Sequence, residues 1–437
     1  MKNGNKIKYI VFWIFILSLF IPMIQKKFKV VHERLLEGYF QTESFPDFSD
    51  SLFKEGVFQQ KFETAVSDNI GFYDFFVRCQ CQLNYSLFNI SKVQSVVPGK
   101  NGYIFMRNYI DAFVGNDFKG EAAIDIETEK ALVVQRALKE KNIDLIFAFA
   151  PGKGSYFSEY IPDDLKRNMN VEKTNYAYYI KSCTKAGLNV IDLRKYFLSM
   201  KDTIKYPLFS QIGVHWGDYG AVLAIDTISK YIAQLRNVNM KRIVISDFEM
   251  RDTMKRGDYD AASLLNTFSL PPHFPLPYLK LKYTTSSSDI KPNMLAISDS
   301  YFACIQVTNV LDSVYSDWSY WLYNRQKSSV KDKPFDLRYE IEKRDVILIM
   351  GTDGALYRFP HGFIDQAYEL YAKKDAAYNS LQLKEFRNYI LTTLENINNN
   401  KKWRKSLIES AKKKGVSKEV EFFNNAKWCY DQEKLKK

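Results

Sequence analysis

Two short stretches hold residue types able to carry covalent chemistry. Ser300 closes the run Met294-Leu295-Ala296-Ile297-Ser298-Asp299-Ser300-Tyr301-Phe302. His215 lies in Gly213-Val214-His215-Trp216-Gly217-Asp218-Tyr219-Gly220. A serine hydroxyl is a weak nucleophile until a base takes its proton, and imidazole suits that task because its pKa lies near neutrality. The chain has four histidines. His32 follows the apolar amino-terminal run, His273 follows two prolines, and His361 follows Phe359-Pro360. Only His215 lies in a small-residue turn directly before a helical pattern. Taken singly, such a histidine is more often structural, and a serine at a strand-to-helix junction is an ordinary N-cap. The catalytic expectation is that Ser300 and His215 meet in space as nucleophile and base.

The surrounding elements must bring them together. Met294 to Ile297 is a short apolar run, as a strand covered on both faces requires. In open α/β sheets, chemistry sits at the carboxyl ends of strands. Asp144–Ala150, Asn189–Leu193 and Asp345–Met350 read as strands in the same way. Helices are predicted at Ala123 to Lys141, Asn175 to Ala186 and Gly220 to Ala233. Strands alternating with helices predict a parallel sheet with helices on both faces. Pro98 to Gly102 is a turn leading into the strand Tyr103-Ile104-Phe105. Residues 251–290 are poorly periodic and are expected to be loops and short helices over the site. Residues 40–95 predict helices broken at Asn69-Ile70-Gly71, with Phe53, Phe58, Phe62, Phe72, Phe75 and Phe76 as packing surface. Apolar residues at helical spacing from about 365 onward predict a helical tail. Pro151-Gly152-Lys153-Gly154-Ser155 lacks the spacing of a phosphate loop. Lys153 nonetheless falls at a strand's carboxyl end, where it can line a pocket.

The 437 residues suffice for one large α/β domain with extensions, and 46% are hydrophobic, enough for a sizeable core. The net charge of +12 fits an anionic neighbour or simply a solvated basic face. Cys79 and Cys81 are too close for an ordinary disulfide, and no C-x-x-C pair exists among the five cysteines, so no zinc site is expected. Tyr9 to Ile24 is apolar but for Ser18 and Pro22. It spans about 24 Å as a helix, and Lys8 and Lys26 can snorkel to extend it toward a ~30 Å hydrocarbon core. Gln25-Lys26-Lys27 follows, rather than a small-residue cleavage site. An uncleaved anchor is expected, with a cytoplasmic amino terminus and the bulk outside.

Four blocks carry a resemblance to a known family. Val97-Pro98-Gly99-Lys100-Asn101-Gly102-Tyr103-Ile104-Phe105 resembles the G-K-[DN]-G-[WY]-[LI]-F opening of the alginate O-acetyltransferase AlgJ/AlgX family, whose SGNH hydrolase-like domains are distantly similar to DltD. Ala150-Pro151-Gly152-Lys153 resembles its P-x-K segment. Gly213 to Ala221 resembles its D-x-H-W-x-x-x-G-A motif. Ile297-Ser298-Asp299-Ser300-Tyr301 resembles its G-D-S-[FY] block, in the same order along the chain. Over roughly residues 55–365 the resemblance implies a three-layer α/β/α SGNH-hydrolase-like, flavodoxin-like domain with a parallel central sheet. It implies transfer of an acetyl group, through an acyl-serine, onto a hydroxyl of an exported polysaccharide, with a membrane-bound O-acyltransferase (MBOAT) supplying the acetyl group.

The family's catalytic aspartate lies two residues before the histidine, and that position here is Gly213. In serine proteases the corresponding carboxylate-to-amide change costs about four orders of magnitude in rate. Asp218 is the first candidate to replace it, and Asp353 or Asp258 from another loop is the second. Otherwise the site is a weak dyad or binds without catalysis. Ser298 also stands where the family has glycine. The expected organisation is a membrane anchor at 1–30, a helical stem at 31–95, the SGNH-like domain at 96–365 and a helical extension at 366–437. The expected site is Ser300 with His215 and Asp218, its pocket lined by Lys153, Asp299, Tyr301 and Trp216. No metal, cofactor or nucleic acid is expected. The expected location is the inner (cytoplasmic) membrane, single-pass, with the bulk periplasmic. A polysaccharide O-acetyl esterase and a non-catalytic glycan-binding subunit of an export complex are the alternatives.

Overall fold

The computed structural model of the chain describes residues 2–38, 42–167, 169, 172–327, 334–372, 377–414 and 418–434. These form two compact units: Met1–Pro98 with Ala261–Pro271, and Gly99–Asp260 with Pro272–Lys437.

In the first unit, helix α1 (Lys2–Phe28) carries the apolar stretch. Its segment Lys6–Phe28 is long and apolar enough to cross a membrane. Helices α2 (Val57–Asp68) and α3 (Tyr73–Phe88) follow, broken where the sequence predicts. Glycine is required at the break, because a Cβ on Gly71 would lie 2.1 Å from the Pro22 carbonyl oxygen of α1. The predicted aromatic packing surface is real in part: Phe53, Phe58 and Phe62 form a chain of ring contacts.

The second unit is built on a five-stranded parallel sheet. Its strands are β1 (Asp144–Ala150), β2 (Asn189–Asp192), β5 (Asn293–Ser298), β6 (Asp317–Leu322) and β7 (Val346–Thr352), in the order β2-β1-β7-β5-β6. Every residue of β1 and β7 is buried, which is why both read as unbroken apolar runs. Leu145 pairs with Ile347, and Ile347 with Leu295 on its other side. One face of the sheet, with Phe147, Phe149, Ile297 and Ile349, packs against α4 (Glu121–Lys139), α5 (Asn175–Ala186) and α8 (Phe363–Tyr371). Helix α6 (Asp218–Arg236) buries Ile225, Ile228 and Ile232, and its Arg236 pairs with Asp144 at the start of β1 (2.7 Å).

The sequence misplaces one region. Across 243–283 the chain forms an antiparallel ribbon of β3 (Ile243–Arg251) and β4 (Leu276–Tyr283), with a bulge between Ile245 and Asp247, instead of loops and short helices alone. The ribbon is half exposed and β4 contains Pro277, so neither strand shows an apolar run. The edge strand β6 (Asp-Trp-Ser-Tyr-Trp-Leu) is likewise only partly buried and escaped the reading. The carboxyl-terminal region is helical: α9 (Ala377–Asn399), α10 (Lys401–Lys414) and α11 (Lys418–Lys434), with Ile397, Leu407 and Phe422 as a small core.

One buried carboxyl opposes folding at neutral pH. Burial first, then the charges of Asp353 and Asp111, push Asp117 up to about 7. A carboxyl raised in the folded state above its unfolded value of ~3.9 favours folding when protonated. Its contribution is full below about pH 4 and is lost as pH rises through about 7. Asp117→Asn should therefore stabilise the protein by about 1–3 kcal/mol at pH 8 and leave it unchanged at pH 4, in thermal melts at both pH values. An equal effect at both would contradict this.

Candidate active site

Ser300 stands two residues beyond β5, where helix α7 (Tyr301–Gln306) begins. It occupies the N-cap position but makes no capping hydrogen bond. Its hydroxyl is used elsewhere: Oγ lies 2.7 Å from Nε2 of His215. On the other side of the ring, Nδ1 lies 2.7 Å from Oδ2 of Asp260. The second oxygen of Asp260 accepts the Val214 N–H at 2.7 Å. A carboxylate held this way keeps the proton on Nδ1 and leaves Nε2 to accept from the serine. The imidazole and carboxylate side chains are 17% and 28% exposed, so the site opens to solvent.

The carboxylate is neither of the two types expected from sequence. Asp218 enters α6 and pairs with Lys255 at 2.8 Å. Asp258 accepts the Tyr278 phenol at 2.6 Å. Asp353 accepts the Gly152 N–H and the Ser155 hydroxyl and pairs with Arg194. Asp260 takes the role, two residues past one of those candidates in the same Asp258-Tyr259-Asp260 segment. The only signal in the sequence was that segment's two carboxylates in an otherwise aperiodic stretch.

Gly213 explains how Asp260 comes within reach. A Cβ built there would lie 2.5 Å from the Asp258 carbonyl oxygen and 2.7 Å from its carbon. Backbone from the Asp258 segment occupies the space a side chain at 213 would need. The loop that delivers Asp260 packs where the family pattern has its aspartate.

The four expected pocket residues are scaffold. Lys153, Asp299, Tyr301 and Trp216 are each no more than 1% exposed, so none of them lines an open pocket. Lys153 Nζ donates to the carbonyls of Gln211 and Gly213, at 2.7 Å each, and lies over the Tyr103 and Phe105 rings. It pins the backbone leading into His215. Burial pulls its ammonium well below the usual lysine range, and Asp260 draws it back up. Asp299 accepts from the Thr352 N–H (2.8 Å), the Thr352 hydroxyl (2.6 Å) and the Tyr301 N–H (3.0 Å). This ties the nucleophile turn to the end of β7. Burial raises its carboxyl and these donors lower it. Trp216 Nε1 donates to the Tyr301 carbonyl (3.1 Å), and the Tyr301 hydroxyl donates to the Val214 carbonyl (2.7 Å). These two crossed bonds clamp the histidine loop to the serine turn.

Among the described residues no cluster of three or more His, Cys, Asp or Glu side chains is arranged to hold a metal ion. The arrangement can activate the Ser300 hydroxyl as a nucleophile.

Residues 96–291 match the model of a family described as SGNH hydrolase-like domain, acetyltransferase AlgX, a span that includes His215 and Asp260. No curated protein matches the chain. Among solved structures, the O-acetyltransferase domain of Pseudomonas putida AlgJ is similar, at 16% identity over 63% of this chain and 99% of that one, with a TM-score of 0.39. Pseudomonas aeruginosa AlgX is similar at 12% identity over 62% and 67%, with a TM-score of 0.41. Bacillus cereus PatB1, solved with a sulfonyl adduct, is similar at 14% identity over 54% and 91%, with a TM-score of 0.39. Over residues 96–291 the chain is therefore similar to the SGNH hydrolase-like acetyltransferase family of AlgX.

Proposed function

We propose that the protein is a membrane-tethered O-acetyltransferase that carries an acetyl group on Ser300 and passes it to a hydroxyl of an exported cell-surface polysaccharide. The observation that carries this reading is the hydrogen-bonded series Ser300–His215–Asp260, with both contacts at 2.7 Å. Ser300 Oγ attacks the acetyl carbonyl carbon as its proton passes to His215 Nε2. The bond to the donor's leaving group breaks, and that group takes the proton. A sugar hydroxyl then gives its proton to Nε2 and attacks the acetyl carbon, and Ser300 leaves and recovers the proton. Asp260 holds the ring by Nδ1 and stabilises the imidazolium in both halves. The Ser300 N–H serves as a donor to the developing oxyanion.

The same reading takes residues 1–30 as an uncleaved anchor, 31–95 as a stem, 96–365 as the catalytic domain and 366–437 as a helical extension. The bulk lies on the outer side of the cytoplasmic membrane, and an MBOAT partner delivers the acetyl group. The carboxylate at Asp260 supports catalysis over a purely glycan-binding role. An esterase differs only in using water in place of the sugar hydroxyl.

The test uses the full chain in detergent with p-nitrophenyl acetate. A burst of nitrophenolate, about one equivalent per chain, and an acetyl group on the peptide containing Ser300 are expected. Added acceptor glycan should then draw the acetyl group away faster than water does. Acetyl on another residue, or no burst at all, would sink the proposal, whereas release to water alone would make the protein an esterase.

A further inference from the structure

We infer that Tyr278 on β4 is a positioning residue for the triad carboxylate: its phenol fixes the turn at Lys255 to Asp258, and that turn sets Asp260 against His215. The inference deepens the acyl-transfer reading above and rests on it. In the resembling family pattern the carboxylate lies two residues from the histidine, on the same short loop. Here it comes from 45 residues further along the chain. Asp260 is also the last residue of its compact unit before the chain passes into the other one. The chain leaves β3 at Arg251 and reaches Asp260 with only the short helical turn Arg256–Asp258 on the way. A stretch with so little regular structure moves unless its polar groups are tied down.

The Tyr278 phenol ties this stretch at both ends of the turn. It accepts the Lys255 N–H at 2.8 Å and donates to Asp258 Oδ2 at 2.6 Å. The Asp258 N–H donates to the Lys255 carbonyl at 2.9 Å and closes the turn between them. Lys255 Nζ lies 4.7 Å from the centre of the Tyr278 ring, and both Tyr278 and Asp258 are buried. Burial, then the bond to Asp258, raise the phenol, so it stays a donor at working pH. The anchor itself is steady: β4 pairs with β3 along its length, with Tyr278 opposite Glu249.

The held turn reaches the histidine loop on both sides of the imidazole. Before it, the Asp258 backbone fills the space at Gly213. After it, a Cβ on Gly217 would lie 3.8 Å from Leu276 Cδ1 of β4 and 3.9 Å from Asp258 Oδ1. Asp260 follows two residues later, with one oxygen on the Val214 N–H and the other on the ring. A phenylalanine at 278 would fill the same space as the tyrosine. It would leave the Lys255 N–H and the buried Asp258 carboxyl without the phenol.

The experiment measures the rate of the nitrophenolate burst from p-nitrophenyl acetate, with the full chain in detergent. Tyr278→Phe should slow the burst about 10- to 100-fold, the cost of moving a catalytic group by about 1 Å. In an Asp260→Asn background the same change should cost less than about twofold, because the group it positions is already lost. A residue that only supported the fold would give losses that multiply. Asp258→Asn keeps an oxygen for the phenol and should stay within about threefold of the unaltered chain, whereas Asp258→Ala should be slowed about tenfold. That pair serves if Tyr278→Phe does not fold. A second readout needs no turnover. The His215 Nδ1 proton, held against Asp260, should give a far-downfield proton resonance that Asp260→Asn removes and Tyr278→Phe weakens or shifts. Multiplying losses, a Tyr278→Phe burst within about twofold of the unaltered chain, equal rates in the two Asp258 variants, or an absent or unmoved resonance overturns the inference. Absence of the burst from the unaltered chain overturns the acyl-transfer reading instead, and the resonance then decides the inference by itself.

Discussion

Asp260→Asn should lower kcat for acetyl transfer by about four orders of magnitude, with little change in stability. The amide keeps the shape of the carboxylate but offers an N–H to Nδ1, or forces the ring into the wrong tautomer. Nε2 then holds a proton and has nothing to accept from Ser300. The charge that stabilises the imidazolium is lost as well. Val214 still has an oxygen to bond, so the loop keeps its anchor. Asp218→Asn is the matched control. It removes only a partly exposed pair with Lys255, of the kind worth about 0–1 kcal/mol, and should change kcat by less than about threefold. Steady-state rates with a chromogenic acetyl ester check both. Comparable losses in the two variants would mean that Asp260 is not the ring's partner.

Gly213→Ala should be the most damaging single-methyl change in the catalytic unit. The new Cβ would sit 2.5 Å from the Asp258 carbonyl oxygen, which is rigid backbone rather than a mobile side-chain tip. Overpacking of this kind costs about 1–3 kcal/mol. The effect on rate should exceed the effect on stability, because the atoms displaced lie two residues from Asp260. A shift near 1 Å is enough to cost about 10²-fold. Gly213→Asp should not restore the pattern of the resembling family, even paired with Asp260→Ala, because the Asp258 backbone fills its space. Melting temperature and kcat, measured on the same preparations, test this. Full activity in Gly213→Ala would show that the 258–260 segment is free to move and that the glycine is incidental.

His361 and His215 end in opposite surroundings. His361 shares the catalytic residue type and lies close to Tyr323, yet both its nitrogens are buried without a hydrogen-bond partner among the described residues. His215 differs in having its ring gripped on both sides, by Asp260 and Ser300. The small-residue turn before a helix marked His215 out in the sequence, but the grip on its ring comes from residues distant in the chain.

What the sequence determined by itself is the set of features that depend on neighbours along the chain. β1, β5 and β7 are buried on both faces, so their apolar runs announce them, and the polar Ser-Asp-Ser marks where β5 stops. The alternation with α4, α5 and α6 then requires a parallel sheet, and Ser300 must lie at its carboxyl edge. The half-buried ribbon β3–β4 and the edge strand β6 lack such runs, because each is completed by partners distant in sequence. The acid was decided only in three dimensions. Asp218, Asp258 and Asp260 are equivalent as letters, and each finds a different partner once folded: Lys255, Tyr278 and His215. The same holds for Lys153, Asp299, Tyr301 and Trp216, which sequence placed at the site and folding placed underneath it. Burial and hydrogen bonding, which no local pattern encodes, turned them from pocket walls into the frame that holds the histidine against the serine.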